Sequence, residues 1–175
     1  MERILVALDG SAHSDKALDL AADLADKYQA DLILVHVLSA APLSDAERHM
    51  AAVEYADELT SRMESWRQPT SGGPMVSGHE ALMRYGDLAR RFRELIGERL
   101  MSAAASRLEG RHPRSIKKIL EHGDPAETIL KLAADHEVDA IVMGSRGVSD
   151  IKGLLMGSVS HKIAHLATCT CITVK

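Results

Sequence analysis

Short apolar runs alternate with segments of helical periodicity along most of this chain. The runs at 3–8, 31–38 and 139–144 are rich in Val, Ile and Leu, which is typical of strands buried on both faces of a parallel sheet. Between the first two runs, apolar residues three and four positions apart predict a helix over 14–29, with Ser14 as its N-cap. Strand, helix and strand in this order predict a βαβ unit with a right-handed crossover.

The last third of the chain repeats this scheme. A strand is predicted over 115–123, and its two adjacent lysines place it nearer an edge of the sheet. The sequence Asp-Pro-Ala-Glu at 124–127 carries the signals of a helix start: an N-cap aspartate, a proline at the first helical position and a glutamate at the third. A helix over 158–168 and a strand over 171–175 follow. The predicted fold class is therefore α/β, an open, doubly wound parallel sheet with helices on both faces.

The middle of the chain departs from the alternation. Residues 44–66 predict a helix, 67–78 are rich in Pro, Gly and Ser and predict a link, and 79–109 predict one long or two broken helices. Only the end of this stretch is needed to cross over to the next strand. We therefore interpret about 44–93 as a helical insertion within a single domain over 1–175.

Composition and charge exclude several classes of function. Among 175 residues, 21 Lys and Arg stand against 25 Asp and Glu, and aromatic residues make up 3%. The net charge of −4 offers no broad surface for phosphate backbones, and few aromatic rings are available for stacking, so no nucleic-acid partner is expected. Without a leader pattern or an apolar run of ~18 residues, the sequence predicts a cytoplasmic protein with no membrane insertion. Cys169 and Cys171 are interpreted as small apolar strand residues.

Glycines cluster after the apolar run at 139–144. Gly144 and Gly147 follow the strand, and Gly157 and Ser158 stand where a helix is predicted to begin. Bare backbone lets N–H groups approach an anion and allows positive φ. A helix N-terminus adds unpaired N–H groups and the positive end of the helix dipole. The pattern predicts a phosphate site, and a plain tight turn is the alternative.

A second polar loop, Asp9-Gly10-Ser11, follows the first strand. If the first and fourth strands are neighbours, the two loops face each other at the carboxyl edge of the sheet. Asp9 would then accept hydrogen bonds from a ribose hydroxyl or help to hold a divalent cation. Ser11 either donates to a phosphate or stabilises the turn, and Arg146 either pairs with a γ-phosphate or is a solvated loop residue. Ser160, like Ser158, offers a further hydroxyl donor.

The segment GSRGVSDIKGLLMGS at 144–158 resembles the nucleotide-binding signature of the ATP-binding universal stress proteins: Gly, two residues, Gly, nine residues, Gly-Ser. The segments ILVALDGS, LVHV and EHGDPAETI are similar to that family too, and the resemblance covers about 1–43 and 94–175. It implies a Rossmann-like adenine-nucleotide α-hydrolase-like fold with five parallel strands in the order 3-2-1-4-5. It also implies a homodimer through the 171–175 strand. The chain departs from the family in its longer insertion and in CTCITV, where many relatives have Cys-Pro-Val.

The resemblance also implies a ligand and roles for individual residues. ATP, or ADP or AMP, would bind with Mg²⁺ or Mn²⁺ on its phosphates. Asp9 would lie near the ribose and would reach the metal only through the nucleotide. Val37 would touch adenine, with Met143 and Val159 lining the same pocket. The phosphates would be wrapped by Gly144, Gly147, Gly157 and Ser158.

Two functional hypotheses follow from these patterns. The first is a regulatory, ATP-binding universal stress protein, in which the nucleotide biases conformation and partner contacts and the insertion at 44–93 takes a protein partner or is merely solvated. The alternative is an ATP-using enzyme of the adenine-nucleotide α-hydrolase-like group, with slow ATPase or adenylating activity. No nucleophile–base pair and no P-loop lysine are evident, so no catalytic residue is assigned. His161 and His165 are interpreted as a structural or surface pair.

Overall fold

The computed structural model describes residues 1–39, 78–147 and 156–175, with backbone alone at 78–85 and 88. Nine elements lie in these ranges. The five strands are β1 (Arg3–Ala7), β2 (Asp31–Leu38), β3 (Ser115–His122), β4 (Ala140–Gly144) and β5 (Thr170–Val174). The four helices are α1 (Ala12–Tyr28), α2 (Gly78–Arg107), α3 (Pro125–Asp135) and α4 (Ser158–Leu166).

The five strands form one parallel sheet in the order β3-β2-β1-β4-β5. The predicted fold class and strand order are thereby confirmed, and every predicted strand begins and ends within two residues of the observed one. β3 lies at an edge, as its lysines indicated. The stretch predicted as one or two helices over 79–109 is a single helix, α2.

Two apolar layers cover the two faces of the sheet. Alternate strand residues such as Ile4 and Val142 pack with α1 and the end of α2. Their neighbours in sequence, such as Leu5 and Ile141, pack with α3 and α4 on the opposite face. Side chains of a strand alternate between faces, so a strand that is covered on both sides must be apolar throughout. This is the physical origin of the continuous apolar runs in the sequence.

The chain divides into two compact units. The first contains Met1–Ser39 and Gly97–Lys175 and holds the whole sheet. The second is Ala40–Ile96, of which the structure describes the first part of α2 from residue 78. The predicted helix at 44–66 and nearly all of the predicted link at 67–78 lie outside the described residues, so the insertion expected at about 44–93 stays a prediction. No helix within the described ranges is both long and apolar enough to cross a membrane.

The start of α1 differs from the sequence prediction. The helix begins at Ala12, and its N-cap is Ser11 rather than Ser14. The Ser11 hydroxyl accepts a hydrogen bond from the Ser14 N–H at 3.1 Å, and the Ser14 hydroxyl donates to the Ser11 carbonyl oxygen at 3.0 Å. Ser14 thus belongs to the first turn and is buried, at 2% exposure. Two serines three residues apart can each cap a helix, and only the chain direction after β1 selects the first.

Carboxylates at the amino edge of the sheet are held in their charged form. The Arg114 guanidinium donates to both oxygens of Asp31, at 2.5 and 2.9 Å, which holds the pKa of that carboxyl well below its usual range. Backbone N–H groups of Glu2 and Arg3 donate to Oδ2 of Asp139 and lower its pKa as well. Hydrogen bonds to the ionised form favour that form in the folded state.

The free energy of unfolding should therefore fall in acid. At Asp124, the N-cap of α3, the N–H of Glu127 at 3.0 Å likewise lowers the pKa. A carboxyl whose pKa is lower in the folded than in the unfolded chain stabilises the fold above the unfolded value of about 3.9. That stabilisation is lost as pH falls through the folded pKa. Urea unfolding between pH 7 and 2.5 should show a plateau above about pH 5 and a decline below about pH 4.

The matched control for this prediction is Asp124→Asn. Asparagine caps helices about as well as aspartate but does not ionise, so this protein should keep its stability near pH 7 and lose part of the acid slope. An unchanged slope would show that Asp124 does not contribute to the pH dependence.

Candidate functional site

The loops after β1 and β4 meet at the carboxyl edge of the sheet. The two strands are hydrogen-bonded neighbours, with Ala7 opposite Met143. The loops that follow them therefore leave the sheet side by side. The Ser11 hydroxyl donates to the carbonyl oxygen of Arg146 at 3.4 Å. The expectation that the first and fourth strands are neighbours is confirmed, and their loops are in contact.

Asp9 is exposed and lies against the second loop. The Ser11 N–H donates to its Oδ1 at 3.0 Å, and a Cβ placed on Gly147 would lie 2.5 Å from its Oδ2. Gly10, between Asp9 and Ser11, has a φ of +81°, in the left-handed region that favours glycine. The bare backbone of Gly147 is therefore what lets the Asp9 carboxylate lie against the loop that follows β4.

Gly144 lets the first turn of α1 pack closely against the end of β4. A Cβ placed on it would lie 2.9 Å from the Cβ of His13 and 3.0 Å from the backbone nitrogen of Ser14, in the first turn of α1. Neither Gly144 nor Gly147 is among the positive-φ residues in the described ranges, so neither uses the positive φ that glycine allows. A helix that crosses close to a strand needs a missing side chain there, whatever the φ angle.

The N-terminus of α4 lies beside the same loop. Its N-cap residue, Gly157, donates its N–H to the Ser145 carbonyl oxygen at 2.8 Å, and a Cβ placed on Gly157 would lie 3.5 Å from the Cα of Arg146. No side chain caps this helix end in the part of the chain that the structure describes, unlike the starts of α1 and α3. Ser158 and Val159 are exposed. The helix end therefore presents N–H donors and the positive end of its dipole to an anion.

Ser160 has hydrogen-bond partners within the protein, and the expectation that its hydroxyl also reaches a phosphate stays a prediction. The side chain is 4% exposed, and its hydroxyl lies 2.8 Å from the Ser145 carbonyl oxygen and 3.0 Å from that of Gly157. A hydroxyl has one proton, and here the protein's own carbonyl oxygens accept it. Ser160 therefore ties the first turn of α4 to the end of β4.

Ser145 is the site residue that the sequence pattern did not reveal. It is 2% exposed, and its Oγ is the one buried side-chain oxygen or nitrogen without a hydrogen-bond partner in the described residues. Leaving such a group unpaired costs about 1–3 kcal/mol. The orphaned hydroxyl lies at the junction of β4 and the start of α4. The position of this serine between Gly144 and Gly147 was the one feature of the sequence that could have drawn attention to it.

The residues expected around adenine lie at two depths. Val37 is partly buried and packs against the apolar layer under α3 and α4, whereas Val159 is 37% exposed. Met143 belongs to that layer and is 3% exposed. Met143 therefore exposes little surface, and its role in lining an adenine pocket stays a prediction.

The described residues contain no cluster of metal ligands. Within residues 1–39, 78–147 and 156–175, no group of three or more His, Cys, Asp or Glu could hold a metal ion. His161 and His165 are exposed on α4. Cys169 and Cys171 are free thiols, and burial raises the pKa of both.

Two structures of known proteins share this architecture. A universal stress protein in complex with cAMP aligns with a TM-score of 0.61 at 20% identity, covering 99% of this chain and 97% of that one. The universal stress protein of Archaeoglobus fulgidus in complex with dAMP aligns with a TM-score of 0.55 at 18% identity, covering 100% and 98%. At these identities the likeness concerns the fold.

Sequence comparison reaches further. The universal stress protein YxiE of Bacillus subtilis (strain 168) is 30% identical over 173 residues, which cover 99% of this chain and 98% of that relative. The model of the universal stress protein family matches residues 1–175. This chain belongs to the universal stress protein family.

Proposed function

We propose that the protein binds an adenine nucleotide, ATP first among them, at the carboxyl edge of β1 and β4. One observation carries this proposal: residues 145–147 touch both the Asp9 loop and the uncapped start of α4. A carboxylate and a helix N-terminus serve opposite ends of a nucleotide, because one accepts hydrogen bonds from ribose hydroxyls and the other donates to phosphate.

The phosphates would bind at the start of α4. The backbone N–H groups after Gly157 and the hydroxyl of Ser158 are the donors that this helix end offers. The hydroxyl of Ser145 lies at the same junction, but at 2% exposure it is too enclosed to contact a phosphate. The N–H groups and the Ser158 hydroxyl all donate hydrogen bonds, which is what a phosphate requires.

The ribose and the adenine would lie toward β1 and β2. Asp9 would accept hydrogen bonds from the ribose hydroxyls, and Val37 would offer apolar contact to the base. Asp9 would also face Mg²⁺ or Mn²⁺ held by the phosphates. The metal would then supply charge neutralisation that this helix end cannot give alone.

The family neighbours support an adenine nucleotide and leave its phosphate number to experiment. Two of the solved structures that share the fold are in complex with cAMP and dAMP, each with one phosphate. We propose a regulatory role in the stress response, in which nucleotide occupancy orders the site and alters contacts with partners. The edge strand β5 is the proposed surface for pairing with a second copy, and the insertion at 44–93 is the proposed surface for a protein partner.

The test of this function begins with protein purified without added nucleotide. Denaturation followed by mass spectrometry identifies any bound small molecule, and calorimetry of the emptied protein with Mg-ATP, ADP and AMP gives the affinities. Release of an adenine nucleotide, or binding of one, is the expected result. ADP or AMP formed from ATP in the sample would indicate turnover. A protein that is empty and binds none of the three overturns the proposal.

Asp9→Asn should weaken Mg-ATP binding by about ten- to a hundredfold, because hydrogen bonds to a charged group contribute about 1.5–3 kcal/mol. This loss of affinity should shrink to about twofold or less for 2′,3′-dideoxy-ATP, which lacks the ribose hydroxyls whose hydrogen bonds Asp9 would accept. Calorimetry on both proteins with both ligands measures this. An equal loss for the two ligands would show that Asp9 acts on the metal or the fold instead of the ribose.

A further inference from the structure

Leu8, directly after β1, makes two hydrogen bonds with β2. The N–H of Leu8 donates to the Val35 carbonyl oxygen at 2.8 Å, as in a regular ladder. The carbonyl oxygen of Leu8 lies 2.7 Å from Nδ1 of His36. Because a carbonyl oxygen can only accept, Nδ1 carries the proton and donates it. A side chain thus fixes the last peptide group before Asp9.

On the side opposite Nδ1, the imidazole ring of His36 packs closely against Gly97, which has no side chain. A Cβ placed on Gly97, in the part of α2 that packs on the sheet, would lie 3.1 Å from Cδ2 of the ring and 2.7 Å from Cδ1 of Leu120. Gly97 is itself buried. The ring therefore fills a defined space, and its hydrogen bond to Leu8 keeps one geometry.

We propose that His36 is a positioning residue for the nucleotide site. By donating to the Leu8 carbonyl, it fixes the orientation of the peptide group between Leu8 and Asp9 and thereby the position of the Asp9 side chain. The inference rests on the proposed binding function. Asp9 follows Leu8 directly, and its carboxylate must lie in the gap that Gly147 leaves while it accepts the Ser11 N–H. A rotated Leu8 peptide would carry Asp9 out of that gap.

Two substitutions with the same branched side-chain skeleton separate the effect of the hydrogen bond from the effect of losing the ring. Asn carries its Nδ2 on Cγ, the same place at which His carries Nδ1, so His36→Asn can still donate to the Leu8 carbonyl. His36→Leu has four side-chain heavy atoms branched at Cγ, as the Asn variant has, but no donor. We expect the Leu variant to bind Mg-ATP about tenfold more weakly than the unchanged protein, and the Asn variant to stay within about twofold.

The decisive experiment repeats the comparison in an Asp9→Asn background. If His36 acts through Asp9, the penalty of His36→Leu should fall from about tenfold to less than about twofold once the carboxylate is gone. Calorimetry below the lowest melting temperature of the set gives all the affinities, and the melting temperatures record any general loss of fold. A purely structural role would leave the penalty equal in both backgrounds.

Each contrary result overturns a different part of the argument, so failure of the His36 inference can be told apart from failure of the proposed function. Equal binding by the Leu variant and the unchanged protein overturns the role of His36. Binding by the Asn variant as weak as that of the Leu variant overturns the hydrogen bond as its means, and an undiminished penalty beside Asp9→Asn overturns the coupling. Absence of nucleotide binding by the unchanged protein overturns the proposed function itself, and the inference with it.

Discussion

Gly157→Asp is expected to abolish most nucleotide binding while it makes the protein more stable. The loss in affinity should be at least about a hundredfold, and the free energy of unfolding of the empty protein should rise by about 0.5–1 kcal/mol. The two changes have opposite signs because they have one cause: the new carboxylate satisfies the N–H groups that a phosphate would otherwise use.

The local geometry allows this substitution. Gly157 has φ of −74° and ψ of 162°, the extended conformation of an ordinary N-cap aspartate. A Cβ there would meet its nearest neighbours, the Cα of Arg146 and the Ser145 carbonyl oxygen, at 3.5 and 3.6 Å, which is normal contact. The carboxylate would then cap α4 and interact favourably with its dipole. It would also repel a bound phosphate.

Gly157→Ala is the matched control, since it adds the same Cβ without the oxygens. It should lower the stability by a few tenths of a kcal/mol, because alanine is a poorer N-cap than glycine, and it should reduce affinity far less than the aspartate does. Chemical denaturation of the empty proteins and calorimetry with Mg-ATP measure both quantities. Unchanged affinity in Gly157→Asp would exclude the start of α4 as the phosphate site.

Gly144→Ala should destabilise the fold by about 1–3 kcal/mol, the usual cost of an added methyl group in a packed interior. The new Cβ would lie 2.9 Å from the Cβ of His13 and 3.0 Å from the backbone nitrogen of Ser14. Backbone atoms cannot rotate away, so the first turn of α1 must move. That turn begins at Ser11, which touches the loop after β4, so nucleotide affinity should fall as well.

A glycine on an exposed helix surface supplies the control for Gly144. Gly86 lies within α2 and is exposed, and among the described residues no atom outside its own stretch of helix lies within 4 Å of where its Cβ would be. Gly86→Ala should stabilise α2 by about 0.5–1 kcal/mol through helix propensity. Urea unfolding followed by circular dichroism compares the two proteins. Equal stability of Gly144→Ala and the unchanged protein would show that α1 is not in close contact with β4.

Local patterns predicted the elements well because periodicity is written in neighbouring residues. The doubly covered strands follow directly from continuous apolar runs, and Asp124 with Pro125 marks the start of α3 correctly. Where two local signals compete, as with Ser11 and Ser14, pattern alone selected the wrong one. Which serine caps the helix is decided by the direction of the chain after β1, and that direction is set by the position of β1 in the sheet.

The candidate site shows a different division. The sequence predicted that the Asp9 loop and the glycine loop would face each other, because parallel strands deliver their following loops to one edge. It could not assign roles within them. Gly144 resembles an anion-binding glycine in sequence, yet its partners are His13 and Ser14, some 130 residues earlier. Ser160 and Met143 resemble ligand contacts, yet both are buried by packing.

By itself, then, the sequence determined the fold class, the strands, the family resemblance and the edge of the sheet at which the Asp9 loop and the glycine loop meet. Only the tertiary structure decided which glycine makes room for a helix, which serine hydroxyl is already used and which one is orphaned, and that His36 fixes the peptide before Asp9. Hydrophobic periodicity is a local property of the chain. Hydrogen-bond satisfaction and close packing depend on partners that folding brings from far away in the sequence.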